Sequence, residues 1–201
     1  MNQQRIVLAS SNPGKLAEFN HLLADSGLNV VPQSAYNVSD ADETGLTFVE
    51  NALLKARHAA HISGLPALAD DSGLCVEHLR GAPGLYSARY SGTHGDNAAN
   101  NAKLLQALKD VPADQRGAFF ICVLVLLQHA DDPAPLIAEG RWHGRVLHEQ
   151  RGVHGFGYDP LFLPDGETVS AAELPPGLKN RISHRGRALA ELRQRLTAPH
   201  I

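Results

Sequence analysis

The sequence predicts an α/β protein, a mixed β-sheet with flanking helices. Three observations carry that prediction: a short buried-strand run near the start, long strand-type runs in the middle, and helical apolar spacing toward both ends. Ile6-Val7-Leu8-Ala9 is an unbroken apolar run, the pattern of a strand covered on both faces. It feeds Ser10-Ser11-Asn12-Pro13-Gly14, a segment of turn formers. A helix is expected from about Lys15, with Leu16, Phe19, Leu22 and Leu23 on its apolar face and a stop near Gly27. A second strand follows at 28–32.

Thr47 followed three residues later by Glu50 is a capping box. The helix it opens buries Val49, Ala52, Leu53, Ala56 and Ala60, and Gly64 is placed to end it. Asn51 and Lys55, four apart, share a different face. Ala67-Leu68-Ala69 then leads into Asp70-Asp71-Ser72-Gly73, read as a turn at the end of a short buried strand. Further on, the pattern predicts a helix over 98–109, a strand over 118–128 and two strands within 136–149. A segment at 158–163 follows a Gly-rich turn, and a last helix over 183–196 turns Ala188, Leu189, Leu192 and Leu196 inward.

The chain has 201 residues, 43% of them hydrophobic and 19% charged, the balance of a folded globular protein. That length suits one sizeable domain or two small lobes. Formal net charge is -3 and no Lys/Arg run occurs, which argues against a nucleic-acid partner. Cys75 and Cys122 lack metal-ligand spacing and read as buried free thiols of a reducing compartment. The N-terminal segment has no secretory pattern, and the longest apolar run, 119–127, is far short of the ~20 residues of a membrane helix. A cytoplasmic protein with no membrane partner is expected.

Adjacent carboxylates such as Asp70 and Asp71 raise one another's pKa unless a cation, a metal ion or work as a base accounts for them. The end of a strand in an open α/β sheet is also where ligands gather, although Asp-Asp-Ser-Gly would serve equally as a solvated turn. Ser10 to Lys15 is a strand–turn–helix segment of the kind that aims backbone N–H groups and a lysine at phosphate. It is not a Walker A loop, since Leu16 follows the lysine. Asp40, Asp42 and Glu43 form an acidic cluster of hard oxygen donors suited to Mg²⁺, or a solvated loop. In Gly155-Phe156-Gly157-Tyr158-Asp159-Pro160 the glycines would admit a flat ligand and Phe156 would stack on a base; a turn with both aromatics in the core is the competing reading. Ser183 is placed to cap the last helix, so that His184 and Arg185 stand at an end favourable to anions and carbonyl oxygens. The remaining histidines make no metal spacing.

Taken together and in order, these segments resemble the inosine/xanthosine triphosphate pyrophosphatase family, in its bacterial form, over nearly the whole chain. The matching residues are Ser10, Asn12, Lys15 and Glu18; Thr47, Phe48, Glu50, Asn51, Ala52, Lys55 and Ala56; and the run from Ala69 to Leu74. They continue through the Gly81 to Tyr90 segment, Glu139-Gly140, the Gly155 to Pro160 segment and Ser183-His184-Arg185-Gly186. The resemblance implies one pyrophosphatase domain over 1–201, with two lobes around a nucleotide cleft. It implies a homodimeric, Mg²⁺-dependent enzyme that cleaves dITP, ITP and XTP to monophosphate and pyrophosphate.

Carried over residue by residue, Asp71 is the expected base and a metal carboxylate. Ser10, Ser11, Asn12, Pro13, Gly14, Lys15 and Ser72 are expected phosphate or substrate contacts. Phe156, Gly157, Tyr158, Asp159, Lys179, His184 and Arg185 are expected base and ribose contacts, and Glu18, Asn51 and Lys55 are expected phosphate contacts or structural supports. The second acidic metal position falls at Asp42 or Glu43. Pro175-Pro176-Gly177 stands where the family has helical sequence, so the approach of Lys179 is expected to differ in detail. A pyrophosphatase for modified pyrimidine triphosphates and a nucleotide-binding regulator without turnover are the rival readings. The Ser-His-Arg and Phe-Gly-Tyr-Asp segments weigh against the first, and the retained Asp70, Asp71 and Lys15 against the second.

Overall fold

The chain was analysed as a computed structural model, which describes residues 4–23 and 27–197. Six strands form one sheet in the order β2-β1-β3-β4-β5-β6. They are β1 (Gln4–Leu8), β2 (Leu28–Pro32), β3 (Ala67–Val76), β4 (Gly117–Leu127), β5 (Leu136–Val146) and β6 (Phe162–Pro164). β1 pairs parallel with β2 and β3, whereas β5 and β6 are antiparallel, so the sheet is mixed as expected. The helices are α1 (Pro13–Leu22), α2 (Phe48–Ser63), α3 (Asn97–Ala107), α4 (Pro176–Ile182) and α5 (His184–Thr197).

The capping box at α2 forms: the Glu50 amide donates to Thr47 Oγ1 at 3.3 Å, and Glu50 Oε2 accepts from Thr47 Oγ1 at 2.7 Å and from the Leu46 amide at 2.9 Å. Gly64 closes the helix in the left-handed region at φ 68°. α1 ends at Leu22 with Leu23 as its cap, a few residues before the expected stop near Gly27, and the Leu22 side chain lies outside the described set.

Four expectations change. Asp70-Asp71-Ser72-Gly73 is not a turn: β3 runs unbroken through it, and Asp70 and Asp71 are 1% and 9% exposed. Residues 136–149 hold one strand, because buried Ala138, Gly140 and Trp142 alternate with exposed Glu139, Arg141 and His143 in a single period-two register. Within 158–163, a single 3₁₀ turn (Asp159–Leu161) precedes the short β6. Pro175-Pro176-Gly177 does not interrupt helical structure; Pro176 begins α4, a position that needs no amide hydrogen.

The chain divides into two compact units. The first comprises Met1–Asp71, Cys122–Glu139 and Ala188–Ile201, and its core gathers Ile6, Leu8, Phe19, Leu68, Leu124 and Leu189. The second comprises Ser72–Ile121 and Gly140–Arg187, with Leu74, Leu104, Leu108, Phe120, Trp142 and Phe162 at its centre. Inside the second unit the guanidinium of Arg116, 1% exposed, donates to the carbonyls of Leu108 at 2.6 Å, Val146 at 2.8 Å and Leu147 at 2.8 Å. It thereby ties the end of α3 to the end of β5. Among the described residues no helix is long and apolar enough to cross a membrane.

Candidate active site

In the first unit, β3 sets Asp70 and Asp71 side by side, and period-two geometry sends successive side chains to opposite faces. Each meets its own lysine. Lys15, from the first turn of α1, holds both oxygens of Asp70 at 3.0 and 2.8 Å. Lys55, from the middle of α2, reaches Asp71 Oδ1 at 3.0 Å and Glu43 Oε1 at 2.9 Å. Glu43 therefore stands one lysine away from Asp71, which favours it over Asp42 as the second acidic group. Three carboxylates meet two ammonium groups here, a surplus of negative charge.

The electrostatics follow from burial. Desolvation pushes the Asp71 carboxyl above the usual aspartate value; Lys55 opposes that, and the charges of Glu43 and Asp70 add to it. For Lys55, burial alone would lower the ammonium pKa, but Asp71, Asp70 and Glu43 outweigh it and the pKa rises. The result is a lysine that stays charged beside a carboxylate more basic than a free aspartate.

The turn before α1 is fixed from within. Asn12 Oδ1 caps the helix, accepting from the Gly14 amide at 2.9 Å and the Lys15 amide at 3.2 Å. Ser10 Oγ accepts from the Asn12 amide at 3.2 Å. Ser11 Oγ donates to Asp40 Oδ1 at 2.8 Å, and Gln33 Nε2 donates to both, at 2.9 and 2.6 Å. Asp40 thus latches this turn and is not grouped with Glu43 around Lys55. Asn51, 2% exposed, accepts from the Gly45 amide at 2.8 Å and pins the loop that carries Glu43. Pro13 occupies the first turn of α1, and its side chain and that of Glu18 lie outside the described set. Ser72 follows Asp71 in β3 and is half-buried.

A second group gathers in the second unit. The 155–159 turn folds on Asp159, 3% exposed, whose Oδ2 accepts from the Phe156 amide at 2.7 Å and from Lys179 Nζ at 2.5 Å. Gly155 must be glycine: its φ is +79°, and a Cβ would strike the Asp159 carboxylate. Tyr158 is buried and donates its hydroxyl to the Ser87 carbonyl at 2.9 Å; burial raises its phenol pKa. Phe156 is 59% exposed, and Lys179 and Arg185 lie 5.1 and 5.6 Å from its ring centroid.

Ser183 caps α5 as expected, accepting from the Gly186 amide at 3.3 Å. Here too glycine is required, since a Cβ on Gly186 would collide with the Asn180 carbonyl of α4. His184 and Arg185 are 7% and 6% exposed, so they do not project into solvent. The His184 ring stacks on Phe120 at 4.8 Å and 13°.

The structure therefore brings Lys55, Asp71 and Glu43 into one group, with the Lys15–Asp70 pair at the adjoining position of β3, and Phe156, Asp159, Lys179 and Arg185 into another. It does not place Asp42 or Asn51 among the charged groups. Residues that the sequence reading missed are Gln33 and Asn101. Asn101, 3% exposed on α3, donates from Nδ2 to the Gly157 carbonyl at 3.0 Å. The usable signal was a pair of asparagines, Asn100 and Asn101, at helical spacing from Leu104 and Leu108 on an apolar stripe.

Residues 6–195 match the model of the Ham1 family, and the chain belongs to that family. It is 59% identical to a dITP/XTP pyrophosphatase of Pseudomonas syringae pv. tomato over 196 residues, covering 98% of each chain. It is 56% identical to a dITP/XTP pyrophosphatase of Vibrio cholerae, covering 94% of each. Among solved structures, a HAM1 protein from Coxiella burnetii superposes with a TM-score of 0.92 at 50% identity, covering 96% of this chain and 98% of that one.

Proposed function

We propose that this protein hydrolyses deaminated purine nucleoside triphosphates, dITP, ITP and XTP or dXTP, to the monophosphate and pyrophosphate. The observation that carries the reading is the charged group on β3, in which Asp71, made more basic by burial, is held by Lys55 beside Glu43. The names of the full-length relatives point to the same reaction. Hydrolysis at phosphorus needs charge neutralised and a water positioned, with little covalent work by the protein. Asp71 takes the proton of the attacking water, and Lys15 and Lys55 face the phosphate chain. The 155–159 turn, Lys179, His184 and Arg185 hold the base and ribose. One catalytic domain, working as a cytoplasmic homodimer, completes the reading.

A divalent cation belongs to it. Among the described residues no three His, Cys, Asp or Glu side chains form a ready cage. Asp71 and Glu43 nevertheless supply hard oxygen donors in a region of surplus negative charge. That set fits Mg²⁺, which usually takes one or two carboxylates and fills its shell with phosphate oxygens and water. When bound, Mg²⁺ would neutralise charge on the transferred phosphoryl group. Pyrophosphate release from ITP should proceed with Mg²⁺ and stop after EDTA treatment, and calorimetry should show Mg²⁺ binding tightened by nucleotide. Full activity after exhaustive chelation would remove the metal from the account.

The pH profile offers a second check. The base must be deprotonated, so kcat/KM, which reports the free enzyme, should fall as pH drops through the Asp71 pKa. Lys55 lowers that pKa. Lys55→Met should therefore move the acidic limb to higher pH, whatever it does to the maximum rate. A limb that stays in place or moves down would show that Asp71 is not the titrating base.

A further inference from the structure

α3 is capped by Asp96, whose Oδ1 accepts from the Ala99 amide at 3.0 Å. Its buried face carries Asn100 and Asn101, 2% and 3% exposed, above Leu104 and Leu108. Primary amides on such a face are costly unless hydrogen-bonded. Asn100 is satisfied at both ends: Oδ1 accepts from the Ser91 amide at 2.6 Å, and Nδ2 donates to the Ala88 carbonyl at 3.2 Å. Asn101 is not. Its Nδ2 donates to Gly157, while its buried Oδ1 accepts no hydrogen bond from the described residues. An apolar side chain would avoid that cost, so the one bond to Gly157 is what the amide contributes.

That bond falls at the weakest point of the turn. Gly155 and Gly157 both have positive φ, 79° and 61°, and glycine has the most backbone freedom to lose. Asp159 holds the Phe156 amide, but Gly157 lies between them. A trans peptide directs its C=O and N–H oppositely. Holding the Gly157 carbonyl toward α3 therefore directs the Tyr158 N–H away from α3 and fixes the backbone that follows Phe156.

We propose that Asn101 is a positioning residue for purine selectivity: it sets the Gly157–Tyr158 peptide, and through it the direction of a backbone donor that can serve a 6-oxo group but not a 6-amino group. The proposal rests on the reading of the 155–159 turn as the base-recognition element. It assigns α3, which carries none of the proposed substrate contacts, a part in discriminating ITP from ATP. Asn100 has no such part; it secures the 88–91 segment.

The test is to compare Asn101→Leu, Asn101→Asp and Asn100→Leu with the unaltered protein. The readouts are kcat and KM for ITP and ATP, thermal midpoint, and amide hydrogen exchange over 155–159. Both Asn101 variants remove the amide donor: Asn101→Asp at nearly unchanged volume, and Asn101→Leu with a bulkier side chain of the same number of heavy atoms, whose packing cost the thermal midpoint reads. They should reduce the ITP:ATP ratio of kcat/KM about tenfold, within the 10²-fold that a 1 Å misplacement can cost. The loss should appear mainly in KM for ITP, with faster exchange in the turn. Asn100→Leu should lower the thermal midpoint and leave the ratio unchanged. Folded Asn101 variants with the original ratio would overturn the proposal, as would an equal loss of ratio in Asn100→Leu, which would mark general loosening of α3. An unaltered protein that hydrolyses ITP and ATP alike would sink the base-reading assignment itself, and the selectivity role of Asn101 with it.

Discussion

Asp71→Asn should fold normally, bind nucleotide and lose about 10²-fold or more in kcat, the usual scale for removing a general base. The substitution keeps the shape of a side chain that is 9% exposed within β3. Packing and strand pairing should therefore survive, and Lys55 retains Glu43 as a partner. What disappears is the proton acceptor, since an amide oxygen accepts a hydrogen bond without becoming a useful base. Loss of a metal-binding oxygen would deepen the defect. Steady-state pyrophosphate release, with folding followed by circular dichroism, checks this. Turnover near the original rate in a folded Asp71→Asn protein would remove Asp71 from the chemistry.

Arg185→Ala should reduce kcat/KM for ITP far more than for ATP, closing a gap expected to be about two orders of magnitude. A guanidinium has only donors, so it can serve the 6-oxo group of hypoxanthine but not the 6-amino group of adenine. Each mispaired group in a desolvated site costs ~1–3 kcal/mol. Arg185 is 6% exposed, which gives it that desolvated setting. Phe156→Ala provides the contrast: a stacking ring is indifferent to the substituent at position 6, so both substrates should weaken alike. Equal losses for ITP and ATP in Arg185→Ala would make Arg185 a phosphate or structural group instead.

Local chemistry made much of the fold legible. The Thr47–Glu50 capping box, the Gly64 stop and the Ser183 cap each depend on residues within a few positions of one another, and each forms as read. β2 runs over the residues expected, Leu28–Pro32. The failures share a different cause. Asp-Asp-Ser-Gly carries turn chemistry, yet tertiary pairing extends β3 through it, overriding a weak local preference. That correction matters to the site: charges on a solvated turn would be screened, whereas within the strand Asp71 is desolvated and made basic.

The lysines were visible as residues, but their partners were not. Lys15 and Asp70 are 55 positions apart, and only the sheet order, with β1 beside β3, brings them within reach. Gln33 and Asn101 escaped because a lone polar residue gives no local sign of the distant atom it will hold. The short helix α4 was hidden by its prolines, although one of them suits a helix start.

The most direct measurement is product analysis with ITP and ATP in ¹⁸O-labelled water. The products should be the monophosphate and pyrophosphate, with the label in whichever of them carries the attacked phosphorus, and ITP should be turned over about 10²-fold more efficiently than ATP. Orthophosphate as the first product, or equal efficiency for ITP and ATP, would contradict the account.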